Sequence, residues 1–256
     1  MQNNSHNKVD DSELVFGTHA VVELLKSPTA NERVNKVLIQ KDLKSEHIGE
    51  AIKLAKRDRL IVQEVPKNKL DQITDNGTHQ GMAAYIAPYQ YAQLDDIFKS
   101  AEKKGTDPFI LILDKIEDPH NLGSIMRTAD AVGVDGIIIP KHRSTGLTST
   151  VAKTSTGAIE HVPVVRVTNL VNTIKDLKKK NVWVFGTAME GHNYRQWNAK
   201  GAIALVIGNE GKGVSPLVQK QVDETLSIPM VGHVQSLNAS VATGVLLYQA
   251  YASRNE

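Results

Sequence analysis

The second half of this chain carries five short, almost continuous apolar runs: FILILD (109–114), GIIIP (136–140), VPVVRV (162–167), VWVFGT (182–187) and AIALVIG (202–208). A strand with one wet face alternates apolar and polar residues, so runs without alternation call for cover on both faces. Segments of helical periodicity such as NLVNTIKDLKKK (169–180) separate them. Strands and helices in alternation at this spacing predict an α/β domain with a mostly parallel sheet, and ligands of such sheets sit off the carboxyl ends of the strands.

From residue 14 the first half alternates as well: a helix FGTHAVVELLKS, a strand VNKVLIQ, a helix HIGEAIKLAKRD, a strand LIVQEV, a helix around KNKLDQIT and a strand GMAAYIA. The expected organisation is a disordered tail (1–11), a small α/β domain (12–88), a linker or bridging helix (89–106) and a larger α/β domain (107–256). The tail, MQNNSHNKVDD, lacks the basic start and apolar stretch of a signal peptide.

Composition narrows the function classes. Lys plus Arg (30) nearly cancels Asp plus Glu (28), so any contact with a polyanion has to be local. Cysteine is absent, which removes disulfides, thiolate metal sites and cysteine nucleophiles and fits a reducing, cytoplasmic setting. The longest apolar runs fall far short of the ~20 residues that span a bilayer, so a soluble protein without membrane contact is expected. The histidines form no HxxxH or HExxH pair, and no metal site is expected. Walker, GxGxxG and GxSxG patterns are all missing, which speaks against a P-loop enzyme, a nucleotide-binding oxidoreductase and a serine hydrolase.

Three stretches remain that can carry chemistry. In DPHNLGSIMRTADAVGVDGIIIP (118–140) a helix opens near Asn121 at the exit of FILILD. Asn121 and Arg127 then lie ~1.7 turns apart and ~120° off one face, so they do not touch. Asn121 is either a helix cap or a site residue, and Arg127 either a solvated cation or a ligand group. VIGNEGKGV (206–214) is a buried strand breaking into glycines around Glu210 and Lys212, either a tight turn or a loop that lets backbone approach a ligand. In IPMVGHVQSLNASVATGVLLYQA (228–250), Ser236 or Asn238 can cap a closing helix whose Val241, Val245, Leu246 and Tyr248 are expected to be buried. Lys141, His142 and Arg143 follow a strand directly, a position from which cations meet phosphates, and the Ser/Thr-rich stretch 144–157 is either an exposed loop or a short helix beside a site.

In this order, the three stretches resemble the three motifs of the SpoU (TrmH-like) branch of the SPOUT RNA methyltransferases. FGTHAVVELL and HQGMAAYIAP resemble the ends of the small domain of the bacterial 23S rRNA guanosine 2′-O-methyltransferases of the RlmB type. The resemblance implies S-adenosylmethionine as cofactor, a trefoil knot in the catalytic domain, a homodimer, and an L30e-like N-terminal domain that holds RNA. It places the cofactor against Thr187, Gly208, Ile228, Ser236 and Leu237, the central catalytic role on Arg127, and supporting roles on Asn121, Glu210 and Asn238. Lys141, Arg143 and Lys153 are the expected RNA contacts. The implied substrate is a ribose 2′-hydroxyl of 23S rRNA, with a transfer RNA or a non-catalytic RNA-binding module as the alternatives.

Overall fold

A computed structural model describes residues 13–27, 30–87, 89–234 and 236–255. The expected tail lies outside the described residues. The chain divides into two compact units, the first comprising the described residues up to Gln90 with Leu147–Thr150, the second Tyr91–Gly146 with the described residues from Val151 on.

In the first unit, β1 (Glu13–Phe16), α1 (Thr18–Lys26) and α2 (Ala30–Arg33) precede β2 (Val34–Gln40), α3 (Glu46–Arg57), β3 (Val62–Val65), α4 (Lys67–Ile73) and β4 (Met82–Ile86). The sheet order is β1-β4-β2-β3, with β2 and β3 parallel and β4 antiparallel to both neighbours. The two-residue period of the strands sorts the core. Val37, Ile39, Met82 and Ala84 pack with Val21, Leu25 and Ala51, while Leu38, Ala83 and Tyr85 on the opposite face pack with Leu70. β1 is a departure from the sequence reading, which began a helix at Phe16. A four-residue edge strand is too short to show its own alternation, and Gly17 at φ 99° ends it before the helix can start. Gln80 Oε1 then accepts from the amide and hydroxyl of Thr18 (3.2 and 2.7 Å), joining the FGT and HQG strings.

The second unit contains α5 (Leu94–Lys104), β5 (Phe109–Leu113), α6 (Pro119–Ala131), β6 (Gly136–Pro140), α7 (Ser149–Ser155), β7 (Val164–Val167), α8 (Leu170–Lys179), β8 (Trp183–Asn193), β9 (Ile203–Ile207), α9 (Pro216–Gln219), β10 (Glu224–Ser227) and α10 (Ala239–Asn255). Its sheet runs β10-β8-β9-β5-β6-β7 with every pairing parallel, as the unbroken apolar runs require. β5 and β9 are central neighbours, buried at every position. Their carboxyl ends therefore open side by side.

α5 falls in the stretch expected to link or bridge the domains. It is built into the second unit, where Ile97 packs with Ile110, Ile112, Ile138 and Val184, and an added Cβ on Gly136 would lie 2.5 Å from Ile97 Cγ1. Its charged sequence reflects its solvent face, with Ile97 and Ala101 turned inward. The buried face of α10 also differs from expectation. It is formed by Ala239, Thr243, Leu246, Leu247 and Ala250, whereas Val241 and Tyr248 are 52% and 56% exposed. This helix is apolar nearly all round, so periodicity cannot choose its face.

Candidate active site

The site is built where β5 and β9 end. Asp114, directly after β5, is buried, and its carboxylate accepts from the Ser215 amide at 2.7 Å, fixing the far end of the loop that leaves β9. Within that loop Asn209 and Gly213 exchange backbone hydrogen bonds (3.2 and 2.8 Å). Asn209 Oδ1 accepts from the amides of Gly211 (3.0 Å) and Lys212 (3.3 Å), and its Nδ2 donates to the carbonyl of Lys115 (3.3 Å). The NEGKG segment is thus a closed turn held by one asparagine. Gly208 permits it: a Cβ there would lie 2.1 Å from Gly213 C and Val214 N, which are backbone and cannot yield.

α6 starts at Pro119, with Asp118 accepting from the His120 amide at 2.9 Å. The cap is Asp118, which leaves the buried Asn121 amide free to act elsewhere. Asn238 caps α10: its Oδ1 accepts from Ser240 N (2.9 Å), Ser240 Oγ (2.6 Å) and Val241 N (3.4 Å). Backbone amides can only donate, so this fixes which end of the Asn238 amide is oxygen. Its Nδ2 faces outward and donates to Asn121 Oδ1 at 3.0 Å. Asn121 Nδ2 donates in turn to Glu210 Oε1. One directed chain therefore runs from the N-terminus of α10 through two amides to a carboxylate, and it draws together one residue from each of the three stretches.

Beside this chain opens a cavity of about 780 Å³. Thr187, Gly208, Ile228, Ser236 and Leu237 all line it, with Glu210, Lys212, Met189 and Met230. Thr187 reaches it because the β8–β10 register jumps: Thr225 pairs with Gly186 but Leu226 pairs with His192, so residues 187–191 leave the ladder. An added Cβ on Gly191 would lie 2.5 Å from the Thr225 carbonyl oxygen, so glycine allows the return to the ladder.

The remaining expected residues are placed differently. Arg127 is exposed on α6, ~9 Å along the axis from Asn121, and no described residue holds its guanidinium. Lys141 and Arg143 follow β6, half-buried and exposed respectively, and Lys153 is exposed on α7; none of the three lines the cavity. Ser149–Ser155 of the Ser/Thr-rich stretch form α7, and Gly123 of α6 lies close against it, since a Cβ there would lie 2.5 Å from Thr154 Cβ. Asp114 and Asn209 were not among the expected site residues. Their signals were an acid closing an otherwise apolar strand and an asparagine opening a glycine turn, both legible but weak. Among the described residues no cluster of three His, Asp or Glu could hold a metal ion, and no helix is long and apolar enough to cross a membrane.

Residues 108–248 match the SpoU rRNA Methylase family, and residues 14–92 match the RNA 2′-O ribose methyltransferase substrate binding family. YacO of Bacillus subtilis (strain 168), named for the TrmH family of tRNA/rRNA methyltransferases, is 51% identical over 242 residues, covering 94% of this chain and 96% of YacO. The crystal structure of the SpoU methyltransferase AviRb from Streptomyces viridochromogenes in complex with AdoMet shares the fold, with a TM-score of 0.59 at 24% identity over 94% of this chain and 90% of that one. The TrmH/SpoU tRNA modifying enzyme of A. aeolicus gives a TM-score of 0.53 at 30% identity, covering 62% of this chain and 84% of that one. The matched families take in both halves of the chain and all three stretches, and the chain belongs to the SpoU (TrmH-like) family of RNA methyltransferases.

Proposed function

We propose that this chain methylates the ribose 2′-hydroxyl of a guanosine in 23S rRNA, as a cytoplasmic homodimer. The observation that carries the reading is the Asn238–Asn121–Glu210 chain at the edge of the cavity. A protein that only held RNA would have no use for a partly buried amide relay ending on a carboxylate.

The cofactor is S-adenosylmethionine, and the cavity fits it. Its volume lies within the ~300–1,000 Å³ of small-molecule sites, and the Gly208 turn is a cradle that a single Cβ would fill. Thr187, Gly208, Ile228, Ser236 and Leu237 hold it. Bound there, it supplies a methyl group already activated on a sulfonium. What remains for the protein is to align a weak hydroxyl nucleophile and let its proton leave.

Arg127 grips the target phosphate in two-pronged fashion and stabilises charge developing on the 2′-oxygen, a role that its exposed and unheld guanidinium supports. It is not the base, because a guanidinium stays protonated in proteins. Glu210, steered by Asn121, a phosphate oxygen of the substrate or a water molecule receives the proton. Residues 12–88 hold the RNA in an L30e-like domain, residues 107–256 form the knotted catalytic domain, and Lys141, Arg143 and Lys153 meet phosphates. Val241, Tyr248 and Tyr251 on the outer face of α10 support a homodimer, since a second copy would cover them. The absence of cysteine suits a reducing cytoplasm.

Ribose methylation mapped across ribosomal and transfer RNA, with and without this protein, tests the substrate. Loss of one 2′-O-methyl mark from 23S rRNA is expected. Loss from a transfer RNA instead would favour the second reading, which the likeness to the A. aeolicus enzyme supports. Appearance of the methyl group on a base would overturn both.

A further inference from the structure

The cavity lining is graded. Ile207, Gly208, Val214, Leu226, Ala239 and Leu246 are buried, and the exposed lining includes Met189, Gly211, Lys212, Met230 and Ser236. Burying an ionic group in an apolar recess without partners is costly, so the charged amino-acid end of the cofactor belongs at the exposed side and its apolar purine within. The lining contains two charged residues, Glu210 and Lys212. Glu210 is engaged by Asn121 and has the wrong sign for a carboxylate. The Lys212 backbone is pinned by Asn209 Oδ1 at 3.3 Å, and no described residue pairs with its ammonium. By contrast Lys99, Lys104, Lys178, Lys179 and Lys180 each meet an aspartate.

We propose that Lys212 is the cofactor-positioning cation that pairs with the α-carboxylate of S-adenosylmethionine and sets the orientation of its amino-acid arm. The proposal rests on the cavity being the cofactor site. It makes Lys212 a discriminator between ligands that carry the carboxylate and ligands that stop at the thioether.

Titration calorimetry on the full chain tests it with two ligands, S-adenosylhomocysteine and 5′-methylthioadenosine, which keeps the adenosine and the sulfur but lacks the amino acid. An exposed ion pair of this kind sets the scale at about three- to fivefold in affinity. Lys212→Met is expected to weaken S-adenosylhomocysteine by that factor, Lys212→Arg to restore most of it, and methylthioadenosine to bind both variants as it binds the wild type. The difference shrinks at high salt. Unchanged S-adenosylhomocysteine affinity in Lys212→Met overturns the proposal alone, as does an equal loss for both ligands. A fall in RNA affinity without a change in S-adenosylhomocysteine binding overturns it in favour of a phosphate contact. Failure of the wild type to bind either ligand overturns the cavity reading and this proposal with it.

Discussion

Asn238 donates its side-chain amide to Oδ1 of Asn121 at 3.0 Å, across 117 residues of chain, while its own Oδ1 caps α10. One side chain thus performs a local structural task and a long-range one, and the two can be separated. Asn238→Asp keeps the capping oxygen and loses the donor, so stability in urea is expected to hold while methyl transfer falls by tenfold or more. Asn238→Ala is expected to lose both, with about 1 kcal/mol of stability. If Asn238→Asp retained full turnover, the relay would have no part in the chemistry.

Asn121→Ala and Asn238→Ala are expected to be non-additive, because they remove the same link. The double variant should lose little more activity than Asn121→Ala, with a coupling of roughly 0.5–3 kcal/mol in a double-mutant cycle on the transfer rate. Additive losses would mean that the two residues act independently.

Gly208→Ala introduces a Cβ 2.1 Å from the backbone of Gly213 and Val214. The loop must move, at a cost of about 1–3 kcal/mol, and calorimetry should find S-adenosylhomocysteine binding weakened well beyond the effect of Lys212→Met. Gly211→Ala, where the nearest atom would be 3.7 Å away, is the matched control. Equal affinity in the two variants would remove the cradle argument.

Arg127 is exposed and unheld by described residues, so Arg127→Lys should leave stability within about 0.5 kcal/mol. Turnover is expected to fall steeply, because a lysine keeps the charge but loses the two-pronged grip. Near-normal turnover of Arg127→Lys would show that charge alone suffices.

RNA affinity should fall with salt, with the logarithmic slope decreasing by about 0.7–0.9 for each of Lys141, Arg143 and Lys153 replaced by alanine. A slope that the three substitutions leave unchanged would take these residues out of the interface.

Asp96 on α5 is held below the ordinary carboxylate range, first by the hydrogen bond from the Gln93 amide (2.9 Å) and then by Lys99. A depressed folded value means the contribution is present above the unfolded carboxylate value and is lost as pH falls through the lower, folded one. Asp96→Ala should therefore flatten the acid limb of the stability curve and leave its alkaline side unaltered in slope. Urea midpoints measured between pH 2 and 7 read this directly.

Much of the fold was legible because its signals are local. FILIL and IALVI declare strands covered on both faces, and the structure buries each of their residues. The failures have local causes too. ELVF is too short to announce a strand, α5 hides a buried Ile97 in a charged context, and α10 is apolar nearly all round, so its pattern points Tyr248 inward while the fold leaves it outward.

For the site, the sequence by itself determined which residues are present and in what order: an asparagine and an arginine on one helix, a glycine turn with Glu210, and an asparagine before the last helix. Those facts follow from side-chain periodicity and backbone permissiveness, which act over a few residues. Only the tertiary structure decided that Asn121 meets Glu210 over 89 residues and Asn238 over 117, and that Asn209 and Asp114 hold the turn. The placing of β9 between β5 and β8 makes those meetings, and strand order is set by packing of whole faces, which no local pattern encodes.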